Sequence, residues 1–315
     1  MIKYAPIVLF VYERYDHLLK TVHHLQRNTL TGKSKLFVYS DGPRDDQQSK
    51  SRVARVRQYL RSLTGFRTVT IIESETNKGL ANSVIDGVTA IVNKYGKVIV
   101  LEDDLEVSPD FLQFMNEALD VYVDEPKVMQ ISGHMFDVQF KNKKNILFLP
   151  FITSWGWGTW KRAWDCFDES MSNYSKISED KQLQDRFNLD GAYDYFGMLQ
   201  KQLNGKIDSW AIRWYLSVFF RNGLTLYPVS SLIRNIGHDA SGTHCGFSNC
   251  IENNRHLLLP DREKIHLEHI FVDNDSYMSV KNFLLVGNCS RRVGIKRLSL
   301  DKFLKIIRNY WCLWL

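Results

Sequence analysis

Three consecutive carboxylates, Glu102, Asp103 and Asp104, are the residues of this sequence best suited to chemistry. Like charges at this spacing raise one another's pKa or recruit a cation. Carboxylate oxygens are hard ligands that suit Mn²⁺ or Mg²⁺, and these ions usually also bind phosphate oxygens. A divalent ion held by the triplet could therefore bridge the protein and a diphosphate and stabilise a leaving nucleotide. The alternative is a solvated acidic loop without a ligand.

The segments that must position the triplet favour a ligand site. Residues 97–101 (KVIVL) form an apolar run typical of a strand buried on both faces, and the triplet follows it directly. Strands alternate with helices before it, which predicts an α/β fold with a parallel, doubly wound sheet. The predicted strands are 7–12, 35–40, 68–73 and 97–101, and the predicted helices are 16–28, 45–63 and 79–95. Ligands of such sheets bind beyond the carboxyl ends of the strands, where residues 12–14 and 40–42 also fall.

Composition and charge limit the classes of function. The chain has 315 residues, of which 44% are hydrophobic and 24% charged, as in an ordinary globular protein. It is long enough for one large domain or for a domain with a small appendage. The formal net charge is +6, and the segment 291–315 alone carries seven Lys or Arg against one Asp. The rest of the chain is near neutral, which argues against a broad nucleic-acid-binding face.

The stretch 100–114 (VLEDDLEVSPDFLQF) resembles the segment around the Asp-X-Asp-type motif of N-acetylglucosaminyltransferase I and related GT-A glycosyltransferases. Further segments resemble bacterial family 2 glycosyltransferases of that lineage, in the same order. They are PIVLFVYER (6–14), SDGP (40–43), NKGL (77–80), SWGWGTW (154–160) and NIGHDASGTH (235–244). The resemblance implies a GT-A fold, which is Rossmann-like with a mostly parallel sheet. It divides the chain into a nucleotide-sugar-binding half (1–125), a less regular acceptor-binding and catalytic half (126–290) and a basic amphipathic tail (291–315).

The same resemblance implies which residues bind the donor. They are Val11, Tyr12, Arg14, Asp41, Asn77, Lys78, Gly79, Glu102 and Asp103. The residues themselves leave other interpretations open. Arg14 either reaches a diphosphate or pairs with Asp16 or Glu13, and Asp41 either binds the base or ribose or starts a turn before Gly-Pro. The helix start at Gly79 suits an anion, but it also fits an ordinary turn without a ligand.

For the metal, the resemblance implies Asp104 as the direct ligand and Mn²⁺ or Mg²⁺ as the cofactor. Many GT-A enzymes add a histidine from their C-terminal part, and His244 matches it best by position, with His238 as the second choice. A single histidine is more often structural than a ligand. Because these two lie six residues apart in a glycine-rich loop, both interpretations stay open.

The related enzymes are inverting, with one carboxylate as the general base that deprotonates the acceptor hydroxyl. In the family this carboxylate lies beside a tryptophan, before a helix. The matching stretch here is 206–214 (KIDSWAIRW), where Asp208 is the local carboxylate, although some relatives carry Asp at the position of Ala211. Asp208 would equally serve as the N-cap of the following helix. Asp194 and Asp239 are weaker candidates for the base.

The motif SWGWGTW predicts part of the acceptor side. Trp155 and Trp157, on a loop with glycine hinges, could stack on the face of a sugar ring. The alternative is packing in the hydrophobic core, which we expect for at least one of the two.

The tail, 291–315, predicts a membrane contact. Its apolar residues fall on one helical face and three basic residues lie off it, which is typical of an interfacial anchor. The alternative is a helix docked on the protein's own core. The sequence has no apolar run of about 18 residues for a membrane span, and residues 1–11 are too short for a signal peptide. With five cysteines, an odd number, we expect free thiols and a cytoplasmic protein. Together with the tail, the resemblance implies a peripheral position on the inner face of the cell membrane.

The acidic triplet and its place in the fold predict a metal-dependent enzyme without a nucleic-acid partner. The resemblance implies that it is an inverting glycosyltransferase. It also implies transfer of N-acetylglucosamine or another hexose from a UDP-sugar to a glycan or a lipid-linked saccharide in polysaccharide biosynthesis. One alternative is a sugar-nucleotide nucleotidyltransferase, although residues 11–17 (VYERYDH) lack the glycine expected of its phosphate loop. Another alternative is a non-catalytic carbohydrate-binding protein on the same fold, with a vestigial acidic triplet.

Overall fold

The computed structural model describes residues 4–141, 144–237 and 264–293. Ten strands lie within these ranges. They are β1 (Ile7–Val11), β2 (Lys35–Ser40), β3 (Thr68–Glu73), β4 (Lys97–Glu102), β5 (Leu105–Val107), β6 (Val128–Ser132), β7 (Ile146–Leu149), β8 (Trp157–Trp160), β9 (Leu224–Pro228) and β10 (Ile233–Asn235). Eight of them form one sheet in the order β3-β2-β1-β4-β8-β6-β9-β7, and β10 pairs with β5 in a separate two-stranded sheet.

Helices connect the strands and cover the large sheet. Within the described ranges they are α1 (Tyr15–Gln26), α2 (Gln47–Leu60), α3 (Leu80–Tyr95), α4 (Phe111–Val121), α5 (Lys161–Trp164), α6 (Tyr174–Glu179), α7 (Lys181–Phe187), α8 (Tyr195–Leu203), α9 (Trp210–Phe220) and α10 (Asn274–Val293). A short 3₁₀ turn, Thr31–Lys33, precedes β2.

The first half of the large sheet is parallel, as the sequence predicts. β3, β2, β1 and β4 lie side by side in one direction, with Val11 of β1 opposite Ser40 of β2 and Phe10 opposite Glu102 of β4. The carboxyl ends of β1, β2 and β4 therefore lie at one edge, where the residues that follow them meet. The predicted α/β class with a mostly parallel sheet is confirmed.

Two hydrophobic cores lie on the two faces of this sheet, because consecutive side chains of a strand point to opposite faces. In β1, Val8 and Phe10 share one core with residues of α3 and α9. Ile7, Leu9 and Val11 share the other with residues of α1, α2 and α4. All five are buried. A strand covered on both faces is an unbroken apolar run, which is the pattern that predicted β1 from the sequence.

The second half of the chain continues the same sheet. β8 lies antiparallel between β4 and β6, β9 is parallel to β6, and β7 is antiparallel to β9. α9 is buried along most of its length, from Trp210 to Phe219. The predicted halves, 1–125 and 126–290, thus share one sheet, and the boundary falls between α4 and β6.

The two-stranded sheet adjoins the acidic triplet and has no counterpart in the sequence prediction. β5 starts directly after Asp104, and its first residue, Leu105, lies opposite Asn235 of β10. An ion pair between the buried Glu106 and the partly exposed Arg234 joins the two strands, because Nε of Arg234 donates to Glu106 at 2.7 Å. The chain that leaves β10 is thereby brought back to the triplet.

The last described element is α10, and most of the predicted tail, from 294 onward, lies outside the described residues. None of the helices in the described ranges is long and apolar enough to cross a lipid bilayer.

Candidate active site

A cleft of about 320 Å³ opens at the carboxyl ends of β1, β2 and β4. This volume is at the lower end of the range of about 300–1,000 Å³ that is common for small-molecule sites. The lining residues are Phe10, Val11, Tyr12, Glu13, Arg14, Tyr39, Asp41, Arg44, Asn77, Gly79, Leu80, Ser83, Glu102, Asp103, Asp104 and Asp208. The cleft therefore brings together the triplet, the predicted base and all the predicted donor-binding residues except Lys78.

The guanidinium of Arg14 forms ion pairs with two residues of the triplet, Asp103 and Asp104. Its Nη2 lies 2.5 Å from Oδ1 of Asp103 and 2.8 Å from Oδ2 of Asp104. Burial by itself would lower the pKa of Arg14, but the charges of the two aspartates outweigh burial and raise it above its ordinary value. Glu13 and Asp16, the local partners considered from the sequence, instead pair with arginines of α2.

Full ionisation of all three carboxylates of the triplet is unfavourable in this buried site. Burial, and then the charges of Asp104 and Asp103, raises the pKa of Glu102 above its ordinary range. Burial also raises the pKa of Asp103, although Arg14 and the backbone N–H of Tyr12, which donates to Oδ2 at 3.2 Å, oppose the shift. A divalent cation beside these carboxylates would favour their charged forms and lower the same pKa values.

Asp104 has the features of a metal ligand. It is 5% exposed, and its Oδ1 is buried with no hydrogen-bond partner among the described residues. The N–H of Ile236 donates to the backbone oxygen of Asp104 at 2.9 Å, which holds the end of β10 against it. A side-chain carbon added to Gly237 would lie only 2.1 Å from Oδ2 of Asp104, so this approach requires glycine. A buried carboxylate oxygen without a partner is costly, and a hard cation is a ligand that it fits.

Asp104 would need further ligands from elsewhere to complete a metal site. Across the three described ranges, no group of three or more His, Cys, Asp or Glu is arranged to hold a metal ion. His244, the predicted second ligand, lies outside the described residues, as do His238 and Asp239. Mn²⁺ and Mg²⁺ commonly complete their coordination with phosphate oxygens and water. The roles of Asp104 and His244 at a metal stay predictions.

Asp41 anchors the loop between β3 and α3 to the end of β2. Its Oδ1 accepts the N–H groups of Gly42 and Lys78, both at 2.8 Å, and its Oδ2 accepts the N–H of Gly79 at 3.0 Å. Both carboxylate oxygens thus hold backbone groups, and the side chain is buried. The structure supports the local structural interpretation of Asp41, while its contact with a base or ribose stays a prediction.

The loop that Asp41 holds forms one wall of the cleft. Nδ2 of Asn77 donates to the backbone oxygen of Gly42 at 2.9 Å. Gly79 has a φ of 78°, in the left-handed region that favours glycine, and it directly precedes α3. Lys78 extends elsewhere, because its Nζ bonds to Asp86 at 3.3 Å and the residue borders a neighbouring groove. Asn77 and Gly79 thus reach the cleft, and Lys78 does not.

Arg44 is a cleft residue that the sequence reasoning missed. Its guanidinium carbon lies 5.9 Å from the centre of the Tyr12 ring, which is a cation–π distance. The hydroxyl of Tyr12 is in turn 2.9 Å from Oγ of Ser49. Arg44 directly follows the Asp-Gly-Pro turn after β2, and that position at a strand's carboxyl end was the available signal. The other lining residues that were missed are Phe10, Glu13, Tyr39, Leu80 and Ser83.

Asp208 lines the same cleft as the triplet although it lies in the second half of the chain. Its Oδ1 accepts a hydrogen bond from Nη2 of Arg213 at 2.8 Å, and its Oδ2 lies 4.0 Å from the position of a side-chain carbon added to Gly79. The N-cap of α9 is Ser209, whose hydroxyl accepts the N–H of Ile212. The alternative role of Asp208 as the helix cap is therefore wrong.

Asp194, a weaker candidate for the base, has a structural role. It caps α8 by accepting the N–H of Gly197 at 3.0 Å, and it is not among the residues that line the cleft.

The two tryptophans of the SWGWGTW motif differ in burial. Trp157 is 0% exposed and stacks on Trp210 with ring centres 4.9 Å apart, so it presents no face to a sugar. This corrects its predicted acceptor role, and the core-packing alternative holds for it. Trp155 is half-buried, and its ring lies 4.6 Å from that of His134. An acceptor contact by Trp155 stays a prediction.

Comparison with known proteins agrees with the motifs. No protein-family model matches the chain. An Arabidopsis thaliana enzyme, alpha-1,3-mannosyl-glycoprotein 2-beta-N-acetylglucosaminyltransferase, is 26% identical over 171 residues, which cover 51% of this chain and 38% of that enzyme. The chain is similar in sequence to N-acetylglucosaminyltransferase I. The predicted resemblance is thereby confirmed. The matched part of the chain spans well under two thirds of the relative's length.

Solved structures give looser matches. A mannosyltransferase from Pyrobaculum calidifontis, in complex with GDP-Man and Mn²⁺, aligns over 70% of each chain with 11% identity and a TM-score of 0.36. TarS of S. aureus aligns over 47% of this chain and 25% of its own, with 11% identity and a TM-score of 0.30. Both alignments are too loose to support an argument about the site.

Proposed function

We propose that this chain is a metal-dependent, inverting glycosyltransferase that moves a sugar from a nucleotide-sugar donor to an acceptor hydroxyl. The observation that carries the proposal is the meeting of the acidic triplet with Arg14 and Asp208 in one cleft. That cleft lies at the carboxyl ends of parallel strands, where α/β sheets bind nucleotides. The similarity to an N-acetylglucosaminyltransferase is independent support for sugar transfer, and it makes UDP-N-acetylglucosamine the first donor to test.

In this proposal Asp104, whose Oδ1 is buried and has no partner among the described residues, would hold Mn²⁺ or Mg²⁺. The bound ion would supply electrostatic stabilisation of the diphosphate that leaves. Arg14 adds a second positive charge at the same place, because it lies against both Asp103 and Asp104. A guanidinium suits a diphosphate through its paired N–H donors. His244 is retained as a second metal ligand from the sequence alone.

The donor would lie along the wall made by the ends of β1 and β2 and the loop before α3. We assign the nucleotide to Val11, Tyr12, Asp41 and Asn77, with Arg44 as an added cation beside the Tyr12 ring. Glu102 and Asp103 would face the ribose or the sugar. Gly79 leaves room beside Asp208, because a side chain at this position would extend towards that carboxylate.

Asp208 is the proposed general base. It would take the proton of the acceptor hydroxyl as that oxygen attacks the anomeric carbon, while the nucleoside diphosphate leaves from the opposite face and the configuration inverts. Its side chain is 56% exposed, so an acceptor can reach it. We propose a glycan or a lipid-linked saccharide as the acceptor, with Trp155 as a contact. Attachment to the inner face of the cell membrane through 291–315 is a proposal from composition alone.

A donor screen tests the proposal. The protein is incubated with UDP-N-acetylglucosamine, UDP-glucose, UDP-galactose or GDP-mannose, with Mn²⁺ or with EDTA, and released nucleoside diphosphate is measured. We expect metal-dependent release from one donor, and a loss of about 100-fold or more in Asp104→Ala, as for removal of one electrostatic stabiliser. Asp110→Ala is the matched control, because Asp110 makes no capping hydrogen bond and lies outside the cleft lining.

The outcomes separate the competing functions. Wild-type release in Asp104→Ala would remove the central claim. Metal-dependent binding of a nucleotide sugar without turnover would favour a non-catalytic carbohydrate-binding protein. Formation of pyrophosphate from UTP and a sugar 1-phosphate would favour a nucleotidyltransferase.

A further inference from the structure

Arg213 is a buried cation beside the proposed base, and the cleft lining does not include it. The residue is 6% exposed. Its guanidinium is fixed at three points: Nη2 donates to Oδ1 of Asp208 at 2.8 Å, Nη1 to Oε1 of Glu169 at 3.3 Å and Nε to the backbone oxygen of Ser209 at 3.2 Å. Because the guanidinium is planar and rigid, these contacts leave it one orientation.

The helix that carries Arg213 is itself held firmly. The hydroxyl of Ser209 caps α9, and the N–H of Ser209 donates to Oε1 of Gln202 at 2.6 Å. One residue after Arg213, Trp214 is fully buried, and its Nε1 donates to Oε1 of Gln130 at 2.8 Å. The position of Arg213 is therefore set by the core of the protein, and it does not depend on a bound ligand.

Burial differs sharply between Arg213 and its two acidic partners. The side chain of Arg213 is 7% exposed, whereas those of Asp208 and Glu169 are 56% and 57% exposed. A solvent-facing carboxylate on a loop would normally sample several rotamers. Here Oδ1 of Asp208 accepts a hydrogen bond from the buried Arg213. Oδ2 of Asp208 faces Gly79, a residue that lines the cleft.

We propose that Arg213 is a positioning residue for Asp208. Arg213 binds Oδ1 of Asp208 and thereby presents Oδ2 of Asp208 to the acceptor hydroxyl. The inference rests on the proposed function, because it takes Asp208 as the base. A base oriented by a third group is a recurring arrangement in enzymes. Its effect on rate is large, since misplacement of a reacting group by about 1 Å costs about 100-fold.

A double-mutant cycle tests the proposal. Arg213→Met, Asp208→Asn and the double variant are assayed with Mn²⁺ and the screened donor that the wild-type protein turns over, with water as the acceptor. Arg213→Met is expected to lower kcat about 10- to 100-fold and to leave KM for the donor unchanged. The double variant should be no slower than Asp208→Asn, because an orienting residue has no effect once its base is gone.

Two further variants separate positioning from a structural effect. Arg213→Lys should recover part of kcat, because lysine keeps a charged donor for Asp208 but lacks the fork that fixes it. The matched control is Arg186→Met, which removes an arginine that packs on the far end of α9, 4.4 Å from the ring of Phe219, and should keep wild-type kcat.

We expect the Arg213→Met variant to fold. The variant leaves two largely exposed carboxylates that water can solvate, and it does not leave a buried charge without a partner. Thermal melting checks this, and Arg213→Lys takes its place in the cycle if the melt shows unfolding. Wild-type kcat in the Arg213 variant, or losses that multiply in the double variant, would overturn the inference alone. Absence of turnover by the wild-type protein with every donor would overturn the proposed function and the inference with it.

Discussion

Gly237→Ala probes how closely the segment after β10 approaches the proposed metal ligand. A side-chain carbon at this position would lie 2.1 Å from Oδ2 and 2.9 Å from Cγ of Asp104, and 3.0 Å from Nη1 of Arg14. Side-chain carbons essentially never lie within 3.0 Å of another heavy atom, so the substitution must displace the carboxylate or the backbone at Gly237 by about 1 Å. The carboxylate has little room to move, because it is buried and bonded to Arg14.

The size of the effect follows from that displacement. Overpacking of a buried site costs about 1–3 kcal/mol, so we expect the free energy of unfolding of Gly237→Ala to fall by about that amount. A shift of about 1 Å in a group at the reacting centre costs about 100-fold in rate. We therefore expect nucleotide release to slow about 100-fold and to require more Mn²⁺ for half-maximal activity.

The assay is release of nucleoside diphosphate across a titration of Mn²⁺, with thermal melting in parallel. Gly32→Ala is the matched control, because the nearest heavy atom to its added carbon is 3.8 Å away, and it should change neither measurement. An unchanged melt and an unchanged Mn²⁺ dependence in Gly237→Ala would refute the close approach. A lowered melting temperature with wild-type Mn²⁺ dependence would keep the contact and refute the role of Asp104.

Two further predictions concern stability. Asp41→Asn should lower the free energy of unfolding by about 2 kcal/mol, because one oxygen remains for three backbone N–H groups and each hydrogen bond to a charged group contributes about 1.5–3 kcal/mol. Urea unfolding beside Asp45→Asn, whose side chain is 99% exposed, checks this, and equal stabilities would contradict it. Burial lowers the pKa of His134 to about 3. The unfolded chain, with a histidine pKa of about 6.5, therefore takes up the proton first, and stability present above about pH 6.5 is lost as the pH falls towards 3. Between pH 7 and pH 5 the loss is about 2 kcal/mol. His134→Leu should remove that part of the pH dependence in urea unfolding, and an unchanged dependence would contradict it.

The parallel half of the fold was predictable because its inner strands are covered on both faces. β1 and β4 are apolar runs without alternation, and such runs can be recognised from sequence alone. Once the strands were known, the edge where Arg14, Asp41 and the acidic triplet meet followed from the topology of parallel sheets. No tertiary contact had to be known in advance.

Pairings across long stretches of chain were not predictable in the same way. β5 has three residues, and 128 positions separate Glu106 from Arg234, its partner in β10. A strand that short has no measurable periodicity. The motif SWGWGTW likewise does not reveal which tryptophan points inward, because that depends on the register of β8 in the sheet. The register of β8 directs Trp157 into the core. The motif alone favoured Trp155 and Trp157 equally as acceptor contacts.

The turn that contains Asp103 and Asp104 connects two different sheets. The strand before it, β4, lies in the eight-stranded sheet, and the strand after it, β5, lies in the two-stranded sheet. The hydroxyl of Thr21 also donates to the backbone oxygen of Asp103 at 2.8 Å. To open this turn, the protein would have to break backbone hydrogen bonds in both sheets, so its amide protons are expected to exchange slowly with solvent. A metal ion that bound there, as we propose, would meet preorganised carboxylates, because the ordering entropy that a flexible acidic loop would lose on binding is already lost when the chain folds.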